Sequence, residues 1–264
     1  MDNLRQAVIQ NHFTELSKQY SGLTLADGDY GTWIVRGALS FSATYEGLTI
    51  KDKFQIELYI PEDYPDTPPV AKETDGRIPK EFHTNPDGSL CLGAPLEVRM
   101  KFAKKPTLLG FVSEQVIPFL FSFCYWQRHG KMPFGELSHG GEGILEYYAQ
   151  LFNVTSDIIA LELLKVLAED NYRGHHDCPC GSGRRVRHCH GELLRKIGTY
   201  QSQDEFLYDY VQCLTHLQES GQKLPKTLLS KRLMNRLKRF IQMFDKNEKR
   251  GVKAIQQNRE APNA

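Results

Sequence analysis

Residues 60–93 constrain the fold more than any other segment of this chain. Proline occupies positions 61, 65, 68 and 69, which excludes a helix there and stiffens the chain into turns. His83 follows, and residues 85–88 read Asn-Pro-Asp-Gly, the composition of a tight turn. The pattern predicts a rigid loop that presents Cys91 on a short apolar strand over residues 89–92.

The segments on either side predict a mixed α+β fold. Apolar residues at helical spacing indicate a helix over residues 3–20. Three strands are expected over 32–44, 49–60 and 69–73, because these segments are rich in β-branched and aromatic residues. Residues 94–106 show no clear pattern, 128–143 read as a glycine-rich loop, and 256–264 as a disordered tail. Further helices are expected at 108–125 with a kink or a break at Pro118, at 144–152, at 156–168 with Ser156 as N-cap, at 204–220 and at 226–244.

Composition points to a globular chain. Charged residues make up 25% and hydrophobic residues 40% of the sequence. No run of about 18 apolar residues is visible, so no membrane span is expected. Residues 1–18 lack the apolar core of a signal peptide. These features predict a cytoplasmic protein.

The net charge of +1 is unevenly distributed. Residues 221–253 contain eleven Lys and Arg against Asp245 and Glu248, a local charge of +9 that leaves −8 for the rest. Within this basic end, residues 229–244 place apolar side chains on one helical face. This pattern favours a helix that packs by its apolar face and leaves its charged side chains in solvent. An acidic partner or nucleic acid is the alternative, although no aromatic stacking pattern supports nucleic acid.

Residues 178–191 concentrate metal-binding side chains. In a cytosolic protein, clustered cysteines more often indicate a metal site than disulfides. The segment resembles the SEC-C motif, known as the zinc-binding tail of the SecA translocation ATPase and as an appendage on other proteins. The resemblance implies a closed, structural Zn²⁺ site with the ligands Cys178, Cys180, Cys189 and His190.

A module this short cannot bury a hydrophobic core, so zinc would supply most of its folding energy. His188 is an adjacent alternative ligand, although the motif favours His190. The flanking Arg184, Arg185 and Arg187 form a basic knob, which we interpret as a docking surface rather than only a structural clasp.

Residues 82–93, with the proline turn before them, resemble the catalytic core of the ubiquitin-conjugating enzymes, the E2 proteins. The resemblance covers roughly residues 4–168 and implies an E2/UBC-like core that carries an acyl group on Cys91 as a thioester and passes it to an amine. The family has a His-Pro-Asn triplet before the cysteine, and His83 and Asn85 match it with Thr84 in place of proline. The match implies that His83 braces the loop. Asn85 either stabilises the oxyanion or only forms the turn.

Residues 121–143 resemble prokaryotic E2-like proteins, found with bacterial ubiquitin-like conjugation genes and with antiphage operons of the CBASS kind. That resemblance implies a donor, either a ubiquitin-like protein or a cGAS-like nucleotidyltransferase, whose C-terminus is transferred to target amines. No nucleotide-binding fingerprint is visible, so activation would come from an E1-like enzyme or from a pre-activated donor.

The sequence therefore predicts an E2-like domain over 1–170, a SEC-C zinc motif over 171–195 and a basic helical region over 196–264. One alternative is an inactive binding module like the E2-variant and RWD-domain proteins, although such relatives usually lack the cysteine. Another is a SEC-C-dependent adaptor for protein or nucleic acid. A cysteine protease is a weaker alternative, because no protease signature surrounds Cys91.

Overall fold

The computed structural model describes residues 2–28, 32–134 and 138–239, which form helices and a four-stranded antiparallel sheet. The predicted α+β class is confirmed. The chain divides into two compact units, Met1–His139 and Gly140–Ala264. The sequence placed the first boundary at residue 170, about thirty residues later.

The first unit consists of one sheet and the helices that cover one of its faces. Its elements, in chain order, are α1 Asp2–Gln19, β1 Leu23–Asp27, β2 Trp33–Tyr45, β3 Leu48–Ile60, β4 Val70–Glu73, α2 Pro95–Lys104, α3 Leu108–Phe111 and α4 Ile117–His129. The predicted first helix and the three predicted strands are confirmed.

The sheet is a meander with the order β1-β2-β3-β4, each neighbouring pair being antiparallel. A tight turn joins β2 to β3, with Glu46 at φ +48° and Gly47 at φ +81°, as two-residue hairpins prefer. Strand β1 was missed in the sequence. It has five residues and pairs with β2 alone, so its pattern is too short to be distinctive.

The core lies between the sheet and the helices. In β3 the alternation predicted from sequence is present, since Phe54, Ile56 and Leu58 are buried and the intervening residues are less so. Helix α4 covers this face with Leu120 and Phe123, both fully buried. Burial of each such side chain contributes about 1.5–3 kcal/mol, which fixes the sheet as the platform for the loop that follows β4.

A break before Pro118 interrupts the long apolar helix, as predicted. Residues Val112–Val116 form a π-helical turn between α3 and α4, in which the Ile117 N–H bonds to the Val112 carbonyl. Proline has no N–H to offer the carbonyl four residues earlier, so the ladder rearranges there. The helix extends to His129, beyond the predicted end, and Gly130 at φ +66° terminates it.

We expected no segment long and apolar enough to span a membrane, but Leu108–His129 is one by length and composition, with a mean hydropathy of 1.4. Within the protein, 67% of the apolar window is buried. This degree of burial is the pattern of a core helix.

The second unit is helical among its described residues. Helices α5, α6 and α8 pack against one another. The predicted Ser156 cap is present, as its hydroxyl accepts from the Ile159 N–H. Residues 231–239 form a further helix within the predicted 226–244, whose remainder lies outside the described residues, as does the predicted tail over 256–264. The elements are α5 Gly140–Phe152, α6 Asp157–Ala168, α7 Gly191–Ile197, α8 Gln203–Glu219 and the 3₁₀ turns Val186–His188 and Lys226–Leu228.

The prediction of a loop through residue 143 was wrong, because α5 begins at Gly140. Glycine serves helix packing here rather than flexibility. A Cβ on Gly141 would lie 2.1 Å from the Gln212 carbonyl oxygen of α8, so only glycine permits this close approach. The helices assigned to the first domain from sequence, α5 and α6, therefore pack on α8 in the second unit.

Candidate active site and candidate metal centre

Cys91 lies beside β4, the strand at one edge of the sheet. The two residues before it pair with that strand. The Leu90 N–H donates to the Ala71 carbonyl at 2.8 Å, and Ser89 forms a bridge with Lys72. The Cys91 N–H donates to the His83 carbonyl at 2.7 Å. The predicted strand over 89–92 is thus reduced to isolated bridges, because Ser89 and Leu90 alone pair before the chain turns away.

The turn before Cys91 uses the side chain of Asn85. Its Nδ2 donates to Ser89 Oγ at 3.0 Å, and Ser89 in turn donates its hydroxyl and its N–H to Asp87 Oδ1. The hydrogen bonds from Ser89 lower the pKa of Asp87. Lys72 Nζ closes the turn by donating to the Asp87 carbonyl at 2.7 Å. This geometry favours Asn85 as a turn former.

His83 occupies a backbone conformation that is uncommon for a side chain of its size, with φ at +40°. Its carbonyl is the acceptor for Cys91, so the residue fixes the cysteine through the main chain. Its ring packs on Phe82, with centroids 5.1 Å apart, and on His139, with centroids 4.3 Å apart. The structure therefore brings the exposed loop residue His139 to the loop that carries Cys91.

Cys91 is partly exposed and forms no disulfide. Burial raises its pKa above the ordinary value, and the negative charge of Glu97 raises it further. The main chain of Gly93 acts in the opposite direction, because it favours the thiolate. Burial and Glu97 outweigh it, so the pKa is raised on balance and the thiol is protonated in the resting protein.

Glu97 and Gly93 are the two residues of this site that sequence reasoning missed. Glu97 lies in the first turn of α2, in the stretch left without a pattern. Helix signals were present there, namely Pro95 at the start and basic residues in the last turn. A Cβ on Gly93 would lie 2.6 Å from Glu97 Oε2, so glycine lets this carboxylate approach the main chain beside Cys91. Its Oε1 pairs with Lys101 Nζ at 2.7 Å.

The remaining cysteines outside the cluster are packing residues. Cys124 and Cys213 are buried. Burial raises the pKa of Cys124 to about 12 and raises that of Cys213 as well. Such thiols are inert at neutral pH.

The predicted metal ligands converge in the second unit. The donor atoms of Cys178, Cys180, Cys189 and His190 all lie within 4.8 Å of one another. Cys180 Sγ is 3.4 Å from Cys189 Sγ, and His190 Nδ1 is 3.2 Å from Cys178 Sγ. Three thiols and one imidazole at these separations could hold a metal ion.

The orientation of His190 fits metal binding. Its Nε2 lies 2.8 Å from the Phe152 carbonyl at the end of α5, an acceptor that requires the proton on Nε2. Nδ1 is then left with a lone pair that faces the thiols. A ligating histidine commonly gives its other N–H to a carbonyl in this way. His188 is not among the converging donors, and its Nε2 instead accepts from Arg187 Nε at 3.0 Å.

Main-chain bonds shape the loop that carries the thiols. The Cys178 N–H donates to the Arg184 carbonyl at 2.9 Å, and Gly181 and Gly183 take positive φ in the turn between them. Burial opposes ionisation of Cys180, but hydrogen bonds from Ser182 and the neighbouring thiols outweigh it and lower its pKa to about 6. The loop therefore favours the thiolate form of Cys180 over that of Cys178, whose pKa burial raises. The thiolate is the form in which cysteine binds metal.

Comparisons of the chain with protein-family models, with curated proteins and with solved structures find no match. Function is therefore inferred from the residues and their geometry.

Proposed function

We propose that the first unit is a UBC-like core and that the chain is an E2-like conjugating enzyme, which carries a donor's C-terminus on Cys91 as a thioester and transfers it to a target amine. The observation that carries this proposal is the position of Cys91. It is partly exposed beside the edge of an antiparallel meander, and its N–H bonds to the carbonyl of His83. The proline-rich segment and the turn over 85–88 frame this loop.

Loading would be a thiol–thioester exchange. The sulfur of Cys91 attacks the donor's carbonyl carbon, the new C–S bond forms, and the bond to the previous sulfur breaks. The proton from Cys91 ends on the departing thiol, so no strong base is required. The main chain of Gly93 stabilises negative charge on the Cys91 sulfur before attack and again when that sulfur leaves.

Transfer would use the carboxylate of Glu97. A target lysine arrives as an ammonium group, which the negative charge beside Cys91 attracts. The ammonium group would give one proton to the Glu97 carboxylate, which would lose its ion pair with Lys101. The neutral amine then attacks the thioester carbon, a C–N bond forms, the C–S bond breaks, and the second proton of the nitrogen ends on the departing Cys91 sulfur.

The variant Glu97→Gln is expected to change the two chemistries of Cys91 in opposite directions. Removal of the carboxylate lowers the thiol pKa, so alkylation by iodoacetamide at pH 7.5 becomes faster. Discharge of the loaded thioester to free lysine becomes slower, by about tenfold or more. Both rates are measured by intact-mass spectrometry over time.

The matched control is Glu114→Gln, an exposed carboxylate that does not contribute to the Cys91 pKa. It should leave both rates unchanged. If Glu97→Gln slowed alkylation and discharge together, the variant would have disturbed Cys91 in general, and Glu97 would have no specific part in transfer. The same conclusion would follow if the variant slowed neither rate.

The proposed donor is the C-terminus of a ubiquitin-like protein or of a cGAS-like nucleotidyltransferase, activated by an E1-like enzyme or delivered already activated. The proposed setting is antiphage defence in the bacterial cytoplasm. All six cysteines are free, which fits a reducing compartment.

We propose that the metal of the cluster is Zn²⁺ and that it is structural. Four protein donors complete a tetrahedral site and leave no open position for a substrate. The zinc module would then serve as a docking element, presenting the exposed Arg184, Arg185 and Arg187 to a partner.

The proposal is tested by co-expressing the wild type, Cys91→Ser and Cys91→Ala with the neighbouring genes and measuring intact masses. A thioester carrier gives a reductant-sensitive adduct on the wild type, a reductant-stable ester on the serine variant and no adduct on the alanine variant. No adduct on any of them, with folded partners present, would indicate a non-catalytic binding module instead.

A further inference from the structure

The second unit contains a cleft of about 360 Å³ that the proposed conjugation reaction does not use. Its walls are the end of α6, the start of α8 and the helix over residues 231–239. Charged side chains dominate the lining, which among the described residues consists of Glu169, Asp170, Gln203, Asp204, Arg232, Arg236 and Arg239.

The three arginines lie on one face of their helix. Their spacing of four and then three residues places them one above another along the cleft. The lysines of the same helix, Lys231 and Lys238, are exposed and do not line the cleft. Arg232 and Arg239 are exposed as well, but unlike the two lysines they line the cleft.

Two of the three guanidinium groups form no ion pair with a carboxylate of the described residues. Arg236 pairs with Asp204, with the two atoms 3.0 Å apart. Arg232 donates to the Asp170 carbonyl at 3.1 Å, and Arg239 donates Nε to a carbonyl of its own helix. Within the described part of the chain, neither Arg232 nor Arg239 has a carboxylate at ion-pair distance. Each retains N–H groups that a ligand can use.

The carboxylates that line the cleft either interact with another side chain or are exposed to solvent. Asp204 is neutralised by Arg236, and Glu169, only 5% exposed, accepts a hydrogen bond from the Ser230 hydroxyl. Asp170 and Asp204 are exposed. Both line the cleft, so a ligand must place its negative charge at Arg232 and Arg239 and away from these two carboxylates. A compact oxyanion meets this condition more readily than a nucleic-acid backbone that crosses the surface.

A second cavity of about 200 Å³ adjoins the cleft and shares Asp170 and Gln203 with it. Its lining includes the aromatic side chains of Tyr172 and Phe206, and Arg195 stacks over the Tyr172 ring at 5.6 Å. The pair of cavities therefore offers one ligand the guanidinium groups of Arg232 and Arg239 at one end and a more apolar lining at the other.

We propose that these cavities form a binding site for a small phosphate ester, with the phosphate held by Arg232 and Arg239 and the apolar body lying toward Tyr172. Guanidinium groups suit phosphate because their forked N–H donors match two oxygens at once. The site is separate from Cys91 and does not depend on the proposed conjugation activity.

The test is calorimetric titration of the full-length protein with phenyl phosphate and, separately, with inorganic phosphate. The wild type should bind phenyl phosphate saturably at one equivalent, and more tightly than inorganic phosphate. Arg232→Ala and Arg239→Ala should each weaken binding by about tenfold or more. Arg232→Lys should give an intermediate loss, because it keeps the charge without the fork.

The matched control is Lys238→Ala, which removes one positive charge from the same helix but not from the cleft. It should change affinity by less than about twofold, because Lys238 does not line the cleft and its exposed charge acts on the ligand only through screening solvent. The proposal is overturned if the wild type shows no saturable binding, or if Lys238→Ala weakens binding as much as Arg232→Ala. Displacement of phenyl phosphate by single-stranded RNA with equal dependence on Lys238 would also overturn it, in favour of a polyanion surface.

Discussion

Replacing Cys189 with serine is expected to abolish stoichiometric metal binding and to unfold the proposed zinc module. Two of the other donors, Cys180 and His190, contact the Cys189 sulfur directly, at 3.4 and 3.3 Å. Structural zinc sites contribute about 10 kcal/mol or more of apparent free energy at neutral pH, and this module has no core of its own to replace it. The metal content is measured by elemental mass spectrometry, and unfolding by hydrogen exchange.

The loss should extend beyond the module. His190 bonds to the Phe152 carbonyl at the end of α5, so the exchange protection of that helix end should fall as well. The control is Cys91→Ser, the same chemical change outside the cluster, which should retain one equivalent of zinc. A Cys189→Ser protein that kept its full metal content would contradict this ligand assignment.

The variant Phe82→Ala is expected to destabilise the first unit by about 3–5 kcal/mol. Phe82 is 5% exposed and lies immediately before His83. Its ring packs on Phe119, Phe123 and Trp126 at centroid distances of 5.7, 5.0 and 5.0 Å. Truncation leaves a cavity beneath the loop that positions Cys91, so adduct formation should fall together with stability.

The free energy of unfolding is measured by urea denaturation followed by fluorescence. The matched control is Phe134→Ala, whose ring is 52% exposed and should cost about 1 kcal/mol or less. Equal destabilisation by the two variants would show that the Phe82 cluster does not support the loop.

The sequence predicted the elements with strong periodicity and missed those with weak local signals. Strand β3 alternates over its whole length, and α8 has an apolar face at helical spacing, so both were found. Strand β1 was too short to show a pattern. Near the start of helix α5, Gly141 packs closely on Gln212, a tertiary requirement that no local pattern encodes.

The same contrast holds for the candidate sites: residues with a characteristic spacing were predicted, and residues brought near only by folding were missed. Cys178, Cys180, Cys189 and His190 stood out because their spacing is itself the signal, and the structure brings them together. Glu97 acts on Cys91 only through the helix that follows, so its nearness depends on folding. The contact of His83 with His139 likewise joins residues 56 positions apart.

The central claim is that Cys91 transfers its acyl group to amines, and single-turnover discharge tests it most directly. The purified, loaded protein is mixed with free lysine, and the masses of protein and donor are followed over time. Transfer predicts that the adduct on Cys91 disappears at a rate that rises with lysine concentration, while the donor gains the mass of lysine as an amide. An adduct lost only by hydrolysis, at a rate independent of lysine, would contradict the claim.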